Sequence, residues 1–258
     1  MTPAIIDYPH QLTHRHGVPF VVWCYWEGPP MTGNRRLSFE YLQAHIQVPI
    51  CLITPDNLHH FIVEGHPLPR AFNQLSIVHR SDYIRAYLLH HYGGGWHDIK
   101  ATEVSYEKVW EEFRNDAIWI VGKREIAKGA AKIYNADGDF VPDHYQKLIA
   151  VPSWVGRPQT SLSADLLSGI EAIIEQNADT LFMYPAKHPR EKRISSRNPI
   201  KRLFTIIKFK YQKRSIHYPL DWTLFGNVFH PAILKYHQHV SFKLPADKRK
   251  NAGIYHRS

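Results

Sequence analysis

Cysteine is scarce in this chain: Cys24 and Cys51 are the only two in 258 residues. Each sits in an apolar, strand-like run, so buried free thiols are expected, with no disulfide framework, cysteine metal site or thiol nucleophile. That usage fits a reducing cytosol. Also missing is any apolar run approaching the roughly 20 residues that cross a bilayer, and the opening residues lack the basic, apolar and small-residue series of a signal peptide. A cytoplasmic protein, neither secreted nor integral, is expected. The eighteen histidines are scattered, without the HExxH spacing of a zinc hydrolase. Acids are outnumbered, 23 against 32 lysines and arginines, for a formal net charge of +9. Such a surplus attracts polyanions, whether nucleic acid, anionic lipid or phosphorylated substrates. No RRM, helix-turn-helix, KH or zinc-finger spacing accompanies it, so a basic nucleic-acid-binding protein is the weaker reading.

What is present is an ordinary globular balance, 44% hydrophobic and 21% charged, in a length suited to one large domain spanning 1–258. Val18 to Tyr25 (VPFVVWCY) is a short apolar run rich in β-branched and aromatic residues, stopped by Gly28-Pro29-Pro30, and predicts a buried strand. Leu37 to Ile46 has helical spacing. Val48 to Thr54 predicts a second strand, with a helix start at Pro55-Asp56. Asn73 to Tyr92 repeats its apolar residues at three and four and ends at Gly93-Gly94-Gly95, which predicts the longest helix. A short extended piece from Trp96 to Thr102, a helix from Tyr106 to Asn115 and strands at Ala117 to Val121 and Leu148 to Val151 complete the pattern. Alternating strands and helices imply an α/β fold with a mostly parallel central sheet, whose ligands sit beyond the carboxyl ends of the strands. From Lys187 to Arg214 basic residues dominate around an apolar insert that includes Phe204 and Ile207. Two readings stay open for it: contact with an anionic membrane surface, or a solvated loop with a short core strand.

The densest chemistry lies in Ser81 to Lys100, SDYIRAYLLHHYGGGWHDIK. Asp82 and Arg85 are three apart on a helix and share a face, as an ion pair or a polyol-binding set. Three glycines permit an abrupt turn and leave room for a ligand. Asp98 then follows at a junction where a carboxylate can hold a divalent cation on a diphosphate. His97 beside it points to the opposite strand face and is expected to be structural.

The pattern S-D-x-x-R-x-x-L-L-x-x-Y-G-G-x-W-x-D resembles the core signature of capsular polysaccharide synthesis proteins and the related family 32 glycosyltransferases with a DXD motif. The opening VVWCYWEGPP is similar to that family's first strand, and the resemblance covers roughly the first 120 residues. It implies a GT-A-like, Rossmann-type domain with a donor-binding part at about 18–125 and an acceptor or membrane-facing part at about 150–258. It also implies transfer of a hexose or related sugar, with retention, from a nucleotide sugar (UDP first, GDP second) to a saccharide or lipid-linked saccharide in bacterial surface polysaccharide synthesis. The protein would work in the cytoplasm or on the cytoplasmic face of the inner membrane. By the same resemblance Asp82 and Arg85 bind sugar and ribose hydroxyls, and Asp98 is the first DXD acid, catalytic and metal-binding. Trp23, Tyr25, Gly94, Gly95 and His256 contribute to the donor site. Asp221, in DWTLFGN, is the candidate acceptor-side contact or base, while Trp222 and Phe225 are expected in the aromatic core. Lys100 stands where the second DXD acid is expected. Either Asp98 binds Mn²⁺ or Mg²⁺ with water and phosphate oxygens, or the lysine ammonium offsets the diphosphate charge. The metal is the first expectation. A non-catalytic sugar-nucleotide-binding protein is the alternative function.

Overall fold

The computed structural model describes residues 5–31, 33–129, 142–186, 199–211 and 217–246. A small antiparallel pair, β1 (His14–Arg15) and β2 (Val18–Pro19), precedes β3 (Val22–Tyr25), α1 (Gly33–His45) and β4 (Ile50–Ile53). Then come α2 (Ile77–His91), β5 (Gly94–His97), β6 (Ile120–Arg124), β7 (Ile149–Gly156), α3 (Ser161–Gln176) and α4 (Ala178–Met183). The last elements are α5 (Pro199–Tyr211), α6 (Leu224–Lys235) and β8 (Val240–Ser241).

Six strands form one sheet in the order β4-β3-β5-β7-β6-β8. β3 pairs in parallel with β4 and β5, and β6 with β8. β7 runs antiparallel to both its neighbours, so it alone opposes the other five. The expected mostly parallel α/β sheet is therefore present, with one reversed strand that hydrophobic pattern by itself does not disclose.

Period-two alternation distributes the strand residues between two cores. In β3, Trp23 and Tyr25 join Cys51, Tyr83, Leu88, Leu166 and Phe229 on the face covered by α2, α3 and α6. Val22 and Cys24 join Leu42, Ile46, Trp110 and Phe113 on the other face, under α1 and a 3₁₀ stretch over Glu107–Arg114. Both cysteines are buried free thiols whose pKa burial pushes well up, which makes them inert. Where a helix is expected to start after Thr54, only a turn and a short 3₁₀ segment at Leu58–Phe61 form.

α2 begins at Ser76, whose hydroxyl accepts from the His79 backbone N–H at 3.3 Å. It ends through Gly93, whose N–H returns to Leu88 and Leu89 carbonyls at a positive φ of 74°. A Cβ at Gly93 would lie 2.6 Å from Pro158, so no other residue turns the chain here. The next two glycines serve strand packing. A Cβ at Gly94 would meet Val21 and Trp23 at 3.0 and 3.1 Å, and one at Gly95 would meet Val22 at 3.1 Å. β5 is thereby drawn against β3, and the carboxyl ends of these two parallel strands open on the same crevice.

Candidate active site

A cavity of about 480 Å³ lies at those carboxyl ends. β3 delivers Tyr25 and, just beyond it, Trp26 and Glu27; β5 delivers Trp96 and then Asp98 and Ile99. α2 presents Val78, Ser81, Asp82 and Arg85, the i, i+3, i+4, i+7 stripe that one helix face must share. Arg35 of α1, Lys128 and the segment around Trp222, Thr223 and Phe225 close the remaining walls. Asp82, Arg85 and Asp98 thus meet in one cavity, through adjacent strands and the helix that precedes the glycine turn.

Asp82 and Arg85 are both buried and joined as an ion pair. The Arg85 guanidinium lies 3.7 Å over the ring of Phe225, and its Nε is buried with no hydrogen-bond partner among the described residues. A buried, unsatisfied donor on a cavity wall is a place for a ligand acceptor. Asp98 turns one carboxylate oxygen to Trp96 Nε1 at 3.2 Å and the other to Lys100 Nζ at 3.2 Å. Burial pushes its pKa up, but Lys100 and then Arg85 outweigh that and hold the carboxyl below its ordinary value. It is a carboxylate at neutral pH. Glu27 is matched in turn, by Arg80 and by the hydroxyl of Tyr25. Each acid on the wall therefore has its own cation.

The other expected site residues divide. Tyr25 lines the cavity. Trp23 is wholly buried, with its indole N–H donating to the Gly93 carbonyl at 2.7 Å, and it packs against Phe61 rather than a ligand. Expected at the donor site, Trp23 is not on the cavity wall, and its indole N–H is used in fixing the turn. Gly94 and Gly95, also expected at the donor site, are not on the cavity wall, and Val21 and β3 lie against the space they leave. Lys100 reaches the site through Asp98. His97 points away, toward Tyr106, and burial lowers its pKa to about 4, as a structural, neutral ring requires. His256 lies outside the described residues.

Asp221 is exposed and off the cavity wall, one residue from Trp222. Its backbone carbonyl accepts from His79 Nε2 at 2.8 Å. Since a carbonyl only accepts, Nε2 carries the proton, and Nδ1 of the neutral ring takes the Tyr218 hydroxyl at 2.7 Å. Burial lowers the His79 pKa and keeps the ring neutral. This buried bridge ties the segment bearing Trp222 to the first turn of α2. Trp222, expected in the core, is instead 39% exposed on the cavity wall, while Phe225 is buried as expected. Arg35, Arg80, Lys128 and His79 escaped the sequence reading. None belongs to a local motif: the fold brings Arg35 and Lys128 to the cavity, Arg80 to Glu27 and His79 to the segment bearing Trp222.

A divalent ion on Asp98 needs a carboxylate oxygen turned toward it. Here one oxygen faces the Trp96 N–H and the other an ammonium, and the cavity's other acids are bound by arginines. Among the described residues no three His, Cys, Asp or Glu side chains are grouped to hold a metal. The residues present do not fit the expected ion.

No curated protein matches the chain. Residues 35–140 match the family model described as capsular polysaccharide synthesis protein. That span carries Arg35, Asp82, Arg85 and Asp98 of the cavity wall, with Lys100 behind it, and bears out the family resemblance carried by the Ser81 to Lys100 motif.

Proposed function

We propose that the chain is a glycosyltransferase of surface polysaccharide synthesis, taking a hexose or related sugar from a UDP- or GDP-linked donor to a saccharide or lipid-linked saccharide. The observation that carries this reading is the convergence of Asp82, Arg85 and Asp98 on one cavity at the carboxyl ends of β3 and β5. A sheet of five strands in one direction with a single reversed strand is compatible with a GT-A-like, Rossmann-type domain. Arg85, with its open Nε, and Asp82 would take hydroxyls of the donor, and Asp98 would orient the sugar.

In the reaction an acceptor oxygen forms a bond to the anomeric carbon as the bond from that carbon to the diphosphate oxygen breaks. The leaving oxygen takes the electron pair and then the acceptor proton. Every acid on the wall is engaged by a cation, so no carboxylate stands ready as a covalent nucleophile. That favours same-face displacement with retention over a glycosyl-enzyme. Asp221, off the wall, is retained as an acceptor-side contact, and Trp222 offers a flat exposed surface for an acceptor sugar.

α5 supports a membrane-facing acceptor side. Leu203, Phe204 and Ile207 are 57%, 68% and 51% exposed and, with Ile200, lie at helical spacing on one stripe within the basic tract. Such a helix suits the plane of an anionic membrane, where lysines flank an inserted apolar face. No described helix is long and apolar enough to cross a membrane.

The test is a panel of nucleotide sugars assayed for nucleotide release with saccharide acceptors. Release from at least one donor, abolished in a folded Asp98→Ala variant, is expected. Unchanged turnover in that variant removes the site assignment, and binding of a donor without any turnover leaves only a sugar-nucleotide-binding protein.

A further inference from the structure

The charges around the cavity do not cancel. Its three carboxylates, Glu27, Asp82 and Asp98, face five cationic side chains at or directly behind the wall: Arg35, Arg80, Arg85, Lys100 and Lys128. Among these groups the cations outnumber the carboxylates, which suits the negative charge of a sugar-linked diphosphate. Lys100 sits two residues beyond Asp98, past the end of β5, and its ammonium contacts Asp98 Oδ2. A metal bridging Asp98 to a phosphate would have to displace that ammonium and would gain no second carboxylate, because Asp82 is bound to Arg85 and Glu27 to Arg80.

We propose, resting on the transferase reading, that protein cations balance the diphosphate in this site, with Lys100 taking the part of a divalent ion, so that donor binding and sugar transfer need no metal. The ammonium already held at the carboxyl end of β5 stabilises the negative charge that grows on the diphosphate oxygen as its bond to the sugar breaks. Arg35 and Lys128 meet the same charge from the facing walls.

Calorimetric titration of UDP and GDP into the full chain, in excess chelator and again in Mn²⁺, tests this, alongside Mn²⁺ binding to the nucleotide-free protein by electron paramagnetic resonance. The expected result is a nucleotide affinity that changes less than about twofold between the two conditions, with no Mn²⁺ bound in the cavity. Lys100→Ala should weaken the nucleotide by about tenfold or more in chelator, as loss of a charge-assisted contact does. Lys100→Asp should also lose affinity in chelator, regain it with Mn²⁺, and bind Mn²⁺ by itself. Nucleotide binding by the wild-type chain that requires Mn²⁺ overturns the proposal while leaving the transferase reading intact. If neither nucleotide binds in either condition, the transferase reading fails, and the metal arm still decides: Mn²⁺ seated in the wild-type cavity sinks the inference. If Lys100→Asp does not fold, the wild-type comparison and Lys100→Ala remain decisive.

Discussion

α2 and α5 are helices of similar length that break the usual placement of side chains in opposite ways. α2 buries charge: Asp82 and Arg85 are almost out of water, paired with each other and turned to a cavity. α5 exposes hydrophobes: Leu203, Phe204 and Ile207 stand in solvent within a basic tract. Burying a charge is costly unless it is paired, and a contiguous exposed apolar stripe is unusual for a surface that meets only water. Under the proposed function each departure has its own counterpart, a small polar ligand at α2 and a broad interface at α5. The two should respond in opposite ways to mutation, α2 in catalysis and stability, α5 in attachment alone.

The largest effect is expected at Asp98, whose carboxylate orients the sugar in the proposed reaction while little of the fold depends on it. Asp98→Ala should lower transfer by about 10³-fold or more, the scale of removing a charged group that acts in the transition state. The melting temperature should move little, because the pair with Lys100 is partly exposed and such pairs contribute about 0–1 kcal/mol. Transfer assays beside thermal melts check both halves. A large loss of stability with activity kept per folded molecule would place Asp98 in the fold and not in the chemistry.

Next is the buried pair itself. Asp82→Ala leaves the Arg85 guanidinium buried without its carboxylate, which costs about 3–5 kcal/mol. The Asp82→Ala, Arg85→Met double variant removes the orphaned charge and should recover part of that stability without recovering donor binding. Denaturant unfolding measures the first statement and nucleotide titration the second. Equal stability of the single and double variants would show that the two residues do not act as a pair.

Much of α2 was legible because its periodicity runs uninterrupted from Ile77 to the glycines, and because Asp82 and Arg85 are three apart on it. The strand after it was legible as well, but not the purpose of its glycines. Room made by a missing Cβ reads the same whether a ligand or a neighbouring strand fills it, and here β3 does. Trp23, expected at the donor site, was hard to place for a related reason: an indole in an apolar strand serves a core or a pocket alike, and here it is buried and bonded to the Gly93 carbonyl. The match of Glu27 to Arg80 spans 53 residues, and the tie of His79 to Tyr218 spans 139. Pairings at such separation follow from topology, which no local spacing encodes. The reversed β7 belongs with them, since direction depends on how the chain returns and not on which strand residues are apolar.

Acid should separate the fold from its surface helix next. Burial lowers the pKa of His97 and His230 to about 4, against an ordinary value of 6.5. The unfolded chain therefore binds more protons than the folded one between those values, and stability rises with pH across that window. The contribution is fully present above about pH 6.5 and is lost progressively as pH falls toward about 4. Melting temperature followed from pH 7 to pH 4 should fall, and His230→Asn, which keeps a hydrogen-bonding group without a titrating proton, should flatten part of the slope. A slope untouched by that substitution would assign the acid sensitivity to other groups.

The smallest effect on stability is expected at α5, and there it is the contrast with α2 that matters. Phe204→Glu replaces a ring that is 68% exposed, so it removes little buried area and should change unfolding free energy by no more than about 0.5 kcal/mol. On an anionic bilayer the same change removes the inserted apolar group and adds a charge of the wrong sign. Loss of both terms weakens a helix that binds through apolar area and electrostatic attraction together. Co-sedimentation with vesicles of anionic and of zwitterionic lipid should show wild-type binding to the first alone, weakened by salt and abolished in Phe204→Glu at unchanged nucleotide affinity. Binding that survives the substitution would leave α5 without an interfacial role. A variant that melts several degrees lower would mean that Phe204 packs against the fold after all, and the opposition between the two helices would disappear.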